Sequence, residues 1–494
     1  MKTKTNLFLL STAAIASASV VGGCAGPKTT SKEANKTPNV IFILADDLGY
    51  GDIGVYGQTK IETPNIDRLA SQGLRYTQHY SGSTVSAPSR SSLLTGLHTG
   101  HTPIRGNREL VGEGQEPMPG TTYTMAEMFK GAGYSTAVFG KWGLGFTGSE
   151  GDPNMQGFDE FFGYNCQRQA HRYYPKHLWH NQDKVYLEGN DFTKMTTYAP
   201  DVIHEKAMNY ITEKSKSESP FFVYLALVQP HAELLAPEDE ILEKYRARFE
   251  EEKPYVSPQP NANYGSENFD FKYYNSQPEP RAHFAAMVER LDGYVGDVMA
   301  KLEELGIDDN TIVIFSSDNG AHVEGGADIE FFNSNGSVTG HKRTMTDGGI
   351  RTPMIVRWGD IIKAGSVTEH ISAFWDVMPT MADILDVELP KTDGISMLNE
   401  WKGKKQEKHD YLYWEYAAGK GETAVRIGDF KAIRSGLNKK ADAKIALYDL
   451  KKDPKELTDV SSQHPDLINQ VKEIMKKEHT PSEKYPFGYE KNKK

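Results

Sequence analysis

Four stretches of this 494-residue chain end in residues that could hold a metal ion or neutralise an anion. Ala45-Asp46-Asp47 follows the apolar run Asn39-Val-Ile-Phe-Ile-Leu44, and Gly140-Lys141 follows Thr136-Ala-Val-Phe139. Gln229-Pro230-His231 follows Phe221–Val228, and Ser316-Ser317-Asp318-Asn319-Gly320 follows Thr311–Phe315. Asp46, Asp47, Asp318 and Asn319 all offer hard oxygen donors, which suit Ca²⁺ or Mg²⁺ better than a soft metal. A lone Asp at a strand end is more often a turn residue or a helix cap. Two Asp-containing doublets are harder to dismiss, because adjacent carboxylates repel unless something positive sits between them.

A second segment, Ser86-Ala-Pro-Ser-Arg90-Ser-Ser-Leu-Leu-Thr-Gly96, has the form of a helix start. Pro88 fits the first turn, which puts Ser86 at the N-terminus, where free N–H groups and the helix dipole favour an anion. Arg90, one turn on, can point back and grip oxyanion charge with two N–H groups. Taken alone, a serine-rich cap with a surface arginine explains the same residues. A third segment, Cys166-Gln-Arg168-Gln-Ala-His171-Arg172-Tyr-Tyr-Pro-Lys-His177-Leu-Trp179, mixes donors with aromatics. That mixture suits a sugar ring, with His171 as the first candidate contact and Arg168 and His177 behind it. The alternative is a charged loop anchored by Tyr and Trp.

These residues need a scaffold, and the apolar runs supply it. Short continuous runs of this kind, with Met354–Trp358 as a fifth, suit strands buried on both faces of a parallel sheet. Helical patterns lie between them. Thr63-Pro64 opens one that Gly73 closes, and Thr124 with Glu127 has capping-box spacing before an end at Gly133. Phe284, Met287, Val288, Leu291, Val295, Val298, Leu302 and Leu305 form one apolar stripe that stops at Gly306. Alternating strands and helices predict an α/β fold with a mostly parallel sheet between helices, over residues 38–395. Residues 233–282 break the rhythm and read as a long insertion on the active-site side. From 396 to 494 the pattern shifts to short strands at 411–416, 423–427, 430–434 and 445–450. A charged helix near 465–477 follows, predicting a smaller C-terminal α+β subdomain. In open α/β sheets ligands bind beyond the carboxyl ends of the strands, so the four strand ends would meet on one rim.

Composition narrows the function. Lys and Arg number 56 against 67 Asp and Glu, a net charge of −11, which argues against nucleic acid as partner but leaves room for a local cationic pocket. Only Cys24 and Cys166 are present, which excludes a disulfide framework and a cysteine-rich metal site. Lys2 and Lys4 precede an apolar run from Leu7 to Val21, too short to span a bilayer, and Gly22-Gly23-Cys24 follows. This resembles a bacterial lipoprotein signal over residues 1–23, with Cys24 lipidated and residues 24–37 as a tether. The other possibility is a plain secretory signal in which Cys24 is incidental. The lipoprotein reading places the protein in the periplasm or on the outer membrane of a Gram-negative bacterium, with the lipid as its one membrane contact.

Together these motifs resemble the type I sulfatases of the alkaline phosphatase superfamily. Ser86-x-Pro-x-Arg90 with Leu-Leu-Thr-Gly96 is similar to their maturation signature, and Asn39–Gly49 to their opening strand with paired aspartates. Gly140-Lys-Trp-Gly-Leu-Gly145, Pro230-His231, Ser317-Asp-Asn-Gly320, Gly340-His-Lys342 and Asp347-Gly-Gly-Ile-Arg-Thr-Pro353 follow in the family's order. The resemblance implies one Ca²⁺ held by Asp46, Asp47, Ser86, Asp318 and Asn319. It also implies oxidation of Ser86 to Cα-formylglycine by a radical maturase. One hydroxyl of the hydrated aldehyde attacks sulfur, and the other expels sulfate afterwards. Arg90, Lys141 and Lys342 would neutralise the transferring group, and His231 would protonate the leaving oxygen. The implied substrate is a sulfated saccharide such as a mucin or glycosaminoglycan sugar, with galactose or N-acetylgalactosamine sulfate as candidates. Three departures stand out. Ser86 replaces the commoner Cys, which means either a serine-type enzyme or a serine installed to inactivate. Asp347 stands where the family usually has Glu. Gly143 stands where it has a His, leaving the second-step base open, with His322 as a substitute. A phosphatase using unmodified Ser86 and an inactive sulfated-glycan-binding lipoprotein are the competing readings.

Overall fold

The computed structural model describes residues 37–191, 194–249, 252–258 and 273–491. The expected signal peptide, Cys24 and most of the tether lie outside the described residues. Among the described residues no helix is long and apolar enough to cross a membrane.

A ten-stranded sheet forms the centre. Its order is Ser366–Thr368, Leu74–Tyr76, Met354–Arg357, Thr311–Ser317, Asn39–Asp46, Phe221–Pro230, Ser135–Lys141, Glu160–Tyr164, His177–His180, Asp183–Tyr186. The strands from Thr311–Ser317 to Glu160–Tyr164 in that order run parallel. All eight residues of Asn39–Asp46 are buried, as the unbroken apolar run requires. Alternation then sorts them. Ile41, Ile43 and Ala45 join one hydrophobic cluster, while Val40, Phe42 and Leu44 join the other. Helices Pro280–Leu305 and Ala199–Lys214 cover the first face. Helices Ser86–Thr95, Met125–Gly131 and Val377–Leu385 cover the second.

The local signals act largely as expected. Thr124 and Glu127 form a complete capping box, and Pro280–Leu305 carries the apolar stripe to a left-handed cap at Gly306. Two expectations need correction. Met354–Arg357 is antiparallel to both neighbours, because no crossover helix of useful length separates it from Thr311–Ser317. Thr63 sits at the N-cap of Pro64–Gln72 without capping it; its hydroxyl instead accepts from Gly54 N–H at 2.8 Å. Within the expected insertion, Glu240–Arg248 is a helix capped by the Asp239 carboxylate.

The C-terminal part carries four antiparallel strands, Leu412–Tyr416, Glu422–Ile427, Phe430–Ser435 and Ile445–Asp449. Helix Pro465–Glu478 packs Val471, Ile474 and Met475 against Tyr413, Val425 and Leu447.

Candidate active site

The strand ends do meet. Asp46 closes its strand, and Asp47 turns the chain at φ 67°, a left-handed conformation uncommon outside glycine. Lys141 is the last residue of its strand, and Asp318 and Asn319 follow theirs directly. Ser86 is the first residue of a helix in which all ten residues are buried. The first-turn N–H of Ala87 is already held by the Asn107 side chain at 3.0 Å.

Ser86 Oγ donates to Asp46 Oδ1 at 3.1 Å, and Lys141 Nζ reaches both Asp46 Oδ2, at 2.6 Å, and Ser86 Oγ, at 3.1 Å. The backbone N–H of Asp47 donates to Asp318 Oδ1 at 3.1 Å. Asn319 Nδ2 donates to Asp47 Oδ1 at 2.7 Å. Lys342 Nζ sits 2.8 Å from Asp47 Oδ2, 2.8 Å from His231 Nε2 and 3.2 Å from Glu324 Oε2. Arg343 pairs with the other oxygen of Glu324 at 2.7 Å. Four carboxylates thus face four cations, all but Glu324 and Arg343 fully buried.

The donor set fits a hard dication. Its ligand atoms are oxygens, and Asn319 Oδ1 is buried without a hydrogen-bond partner. Burial and the neighbouring Asp46 push the Asp318 carboxyl up to about 7 despite the attached arginine. For Asp46 burial pushes the same way, but Lys141, His231 and Arg90 hold it well below the usual carboxylate range. Carboxylates this crowded repel one another, and a cation among them would ease that repulsion. Because those side chains already balance in formal charge, a bound dication would leave an excess of two positive charges for an anion.

His231 has a defined tautomer. Its Nδ1–H donates to Ala232 O at 2.5 Å, so Nε2 presents a lone pair to the Lys342 ammonium. Burial, together with Lys342, pulls its pKa down to about 4 although Asp47 opposes this, while Lys342 stays charged. Lys342 Nζ thus donates to His231 Nε2 across the edge of the rim. The His171 ring stacks on His231 at 4.4 Å and 9°.

Several expected contacts fall elsewhere. Arg90 spends its fork on protein groups: Nε and Nη2 grip Asp318 Oδ2 at 3.0 and 2.9 Å, Nη1 donates to Lys141 O at 2.7 Å, and Nη2 lies 3.8 Å from Asp46 Oδ2. It orders the carboxylate and the lysine strand. Arg168 holds the 109–112 loop through Glu109, Leu110 O and Gly112 O, which corrects its expected substrate role. His322 is also corrected. Its Nε2–H is taken by Pro230 O and its Nδ1 by Glu324 N–H, so neither nitrogen is free to replace a base. Gly143 has φ 75°, and a Cβ there would lie 2.2 Å from Gln167 Nε2, so the glutamine fills that space. His177 lies farther out, bound to Glu113 at 2.7 Å. Asp347 is likewise remote in role, tied to Lys431 at 2.8 Å and to Tyr80 at 2.9 Å.

A cavity of about 240 Å³ opens onto the rim, lined by Asn107, Glu109, Gln167, His171, His231, Tyr274, Lys342 and Arg343. Sequence reasoning missed Asn107, Gln167, Tyr274, Glu324 and Arg343. Arg343 directly follows the expected Lys342, a usable signal. Tyr274 sits in a stretch with no periodicity and offered none.

Comparison with known proteins bears out the resemblance to the sulfatases. Residues 38–387 match the Sulfatase family, and residues 339–481 match the family described as N-sulphoglucosamine sulphohydrolase, C-terminal. An N-acetylgalactosamine-6-O-sulfatase of Bacteroides thetaiotaomicron is 30% identical, over 89% of this chain and 93% of its own. The structure of Ps i-CgsB in complex with k-i-k-neocarrahexaose superposes with TM-score 0.72 at 26% identity, covering 92% of this chain and 95% of that one. Phosphonate monoester hydrolase of Agrobacterium radiobacter, at 19% identity and TM-score 0.60 over 89% and 95%, shares the fold. With a family match spanning most of its length and a relative 30% identical over nearly all of it, the chain belongs to the sulfatases, hydrolases of sulfuric esters with an alkaline-phosphatase-like fold.

Proposed function

We propose that this protein removes sulfate from a sugar, using Ser86 matured to formylglycine and one Ca²⁺ held by Asp46, Asp47, Asp318 and Asn319. The observation that carries this reading is the position of residue 86. It stands at the start of a buried helix, 3.1 Å from both an aspartate of the donor set and a buried lysine. When present, the ion and the modified residue supply a Lewis acid and a nucleophilic oxygen that can later release sulfate.

The chain's own residues do the rest. Lys141 stabilises negative charge on the residue-86 oxygen and fixes Asp46. Arg90 keeps Asp318 aimed inward and anchors the Lys141 backbone. Lys342, with His231 behind it, delivers a proton to the departing sugar oxygen. His171, stacked on His231 and lining the cavity, is placed to meet the sugar. The B. thetaiotaomicron relative acts on N-acetylgalactosamine 6-sulfate, as its name states, so that sugar is the first substrate to try. Maturation by a radical enzyme and a lipid anchor at Cys24 in the Gram-negative envelope complete the reading.

Intact-mass analysis of peptides spanning residue 86, from protein expressed with its maturase, tests it. Conversion lowers the mass by about 2 Da. That loss together with Ca²⁺-dependent sulfate release is expected. Turnover of a phosphate ester by unmodified Ser86, without sulfate release, would overturn it.

A further inference from the structure

Beside the catalytic cavity lies a second hollow of about 680 Å³. The same segments wall both. Glu109 and Gln167 face the first and Glu113 and Gln169 the second, while Tyr274 faces both. The inner cavity, about 240 Å³, is smaller than the ~300–1,000 Å³ of ordinary ligand sites, whereas the outer groove falls within that range.

The groove has a fixed platform. Glu113 accepts from Trp179 Nε1 at 2.6 Å, from His177 Nε2 at 2.7 Å and from Lys184 Nζ at 3.2 Å. These bonds satisfy the polar edge of the indole inside the protein and lock its ring. Lys184 Nζ lies 5.2 Å from that ring's centre. Tyr186, 65% exposed, stands with its ring 5.9 Å from the His177 ring. Tyr174 and Lys176 add a further aromatic and a further cation to the wall. Aromatic faces meet the C–H face of a pyranose, and flanking ammonium groups meet its hydroxyls or acidic substituents.

We propose that this groove seats the residues adjoining the sulfated unit, so that the ligand is a sulfated oligosaccharide and not a lone monosaccharide. The inference rests on the sulfatase reading for the identity of the inner unit. It adds that Trp179 and Tyr186 set a preference for chain length.

Calorimetric binding to Ca²⁺-loaded Ser86→Ala protein tests it without turnover. The probes are tetrasaccharides from chondroitin sulfate, heparan sulfate and carrageenan, each paired with its sulfated monosaccharide. At least one tetrasaccharide should bind about tenfold or more tighter than its monosaccharide. Adding Trp179→Ala, or the exposed Tyr186→Ala where the first disturbs folding, should bring that ratio towards one. Equal affinity for both lengths, no tetrasaccharide binding, or a ratio untouched by both variants overturns the proposal. Length-dependent binding lost in the variants, with no sulfate released by matured wild-type protein, would uphold the groove while removing the sulfatase reading.

Discussion

Among the described residues, two gatherings of histidines and carboxylates differ in what they leave unsatisfied. One is the rim around Asp46, Asp47, Asp318 and His231. The other is His98, His101, Asp393 and Glu478, where the catalytic part meets the C-terminal helix. At the first, ligand atoms of Asp46, Asp47 and His231 have the spacing of a metal site, and at the second those of all four residues do. At the second, His98 Nδ1 accepts from Gly100 N–H at 3.1 Å, so its Nε2 bears the proton and donates to Glu478 Oε2 at 3.2 Å. Tyr411 and Lys477 take the other Glu478 oxygen, and His101 Nδ1 meets both oxygens of Asp393 at 2.9 Å. The His98 nitrogen that faces the carboxylates cannot offer a lone pair unless the Gly100 bond breaks. At the rim, Asn319 Oδ1 has no partner and carboxylates crowd one another beside a cavity. Ligand-atom spacing alone does not separate a metal centre from an ion-pair clasp; the tautomers and the orphaned atoms do.

The largest effect should come from Asp318→Ala. It removes a charged donor and frees Arg90, so bound Ca²⁺ measured by elemental analysis should vanish and sulfate release fall about a thousandfold or more. Arg90→Lys should follow, at about ten- to a hundredfold in kcat, because an ammonium cannot span the fork on Asp318 while holding Lys141 O. Lys342→Met should lower kcat for sugar sulfates by about a hundredfold. The loss should be much smaller for an aryl sulfate, whose leaving oxygen needs no proton. Equal losses on both would make Lys342 a structural charge only.

At the clasp the expected pattern inverts. Glu478→Gln should destabilise the fold by about 1–3 kcal/mol, read from denaturant midpoints, and leave Ca²⁺ content and kcat within about twofold. Its pH dependence follows from the carboxylate. The His98 hydrogen bond, with Lys477 and Tyr411, holds Glu478 well below the usual range although burial opposes this. A lowered folded-state pKa gives stability that is present above the unfolded value of about 4.3 and lost as pH falls towards the folded one. The stability gap between wild type and Glu478→Gln should therefore be widest near neutrality and close below about pH 4. A gap that widens on acidification would contradict the assignment.

Much of the rim was legible in the sequence because strand ends announce themselves. An apolar run followed by Asp-Asp, Gly-Lys or Ser-Asp-Asn places those side chains at one edge once the strands are parallel, and all four central strands obeyed. Direction was harder to read. Arg90 could be placed one turn from Ser86, yet nothing in the spacing said that Asp318, 228 residues away, would claim its fork. Met354–Arg357 has a parallel strand's composition and an antiparallel strand's partners, because burial on both faces sets the first and chain connection the second. Arg168 and His322 have the right chemistry for substrate and spend it on backbone groups that no local pattern reveals. The outer groove joins the 112–113 turn, the His177–Tyr186 hairpin and Tyr274, pieces brought together only by the tertiary fold.

The most direct measurement is a crystal structure of the matured protein grown with Ca²⁺, with the ion located by its anomalous signal. One peak within bonding distance of Asp46, Asp47, Asp318 and Asn319, beside a formylglycine at 86, is the expected result. A map without an ion at the rim, or with the only peak between His98 and Glu478, would contradict it.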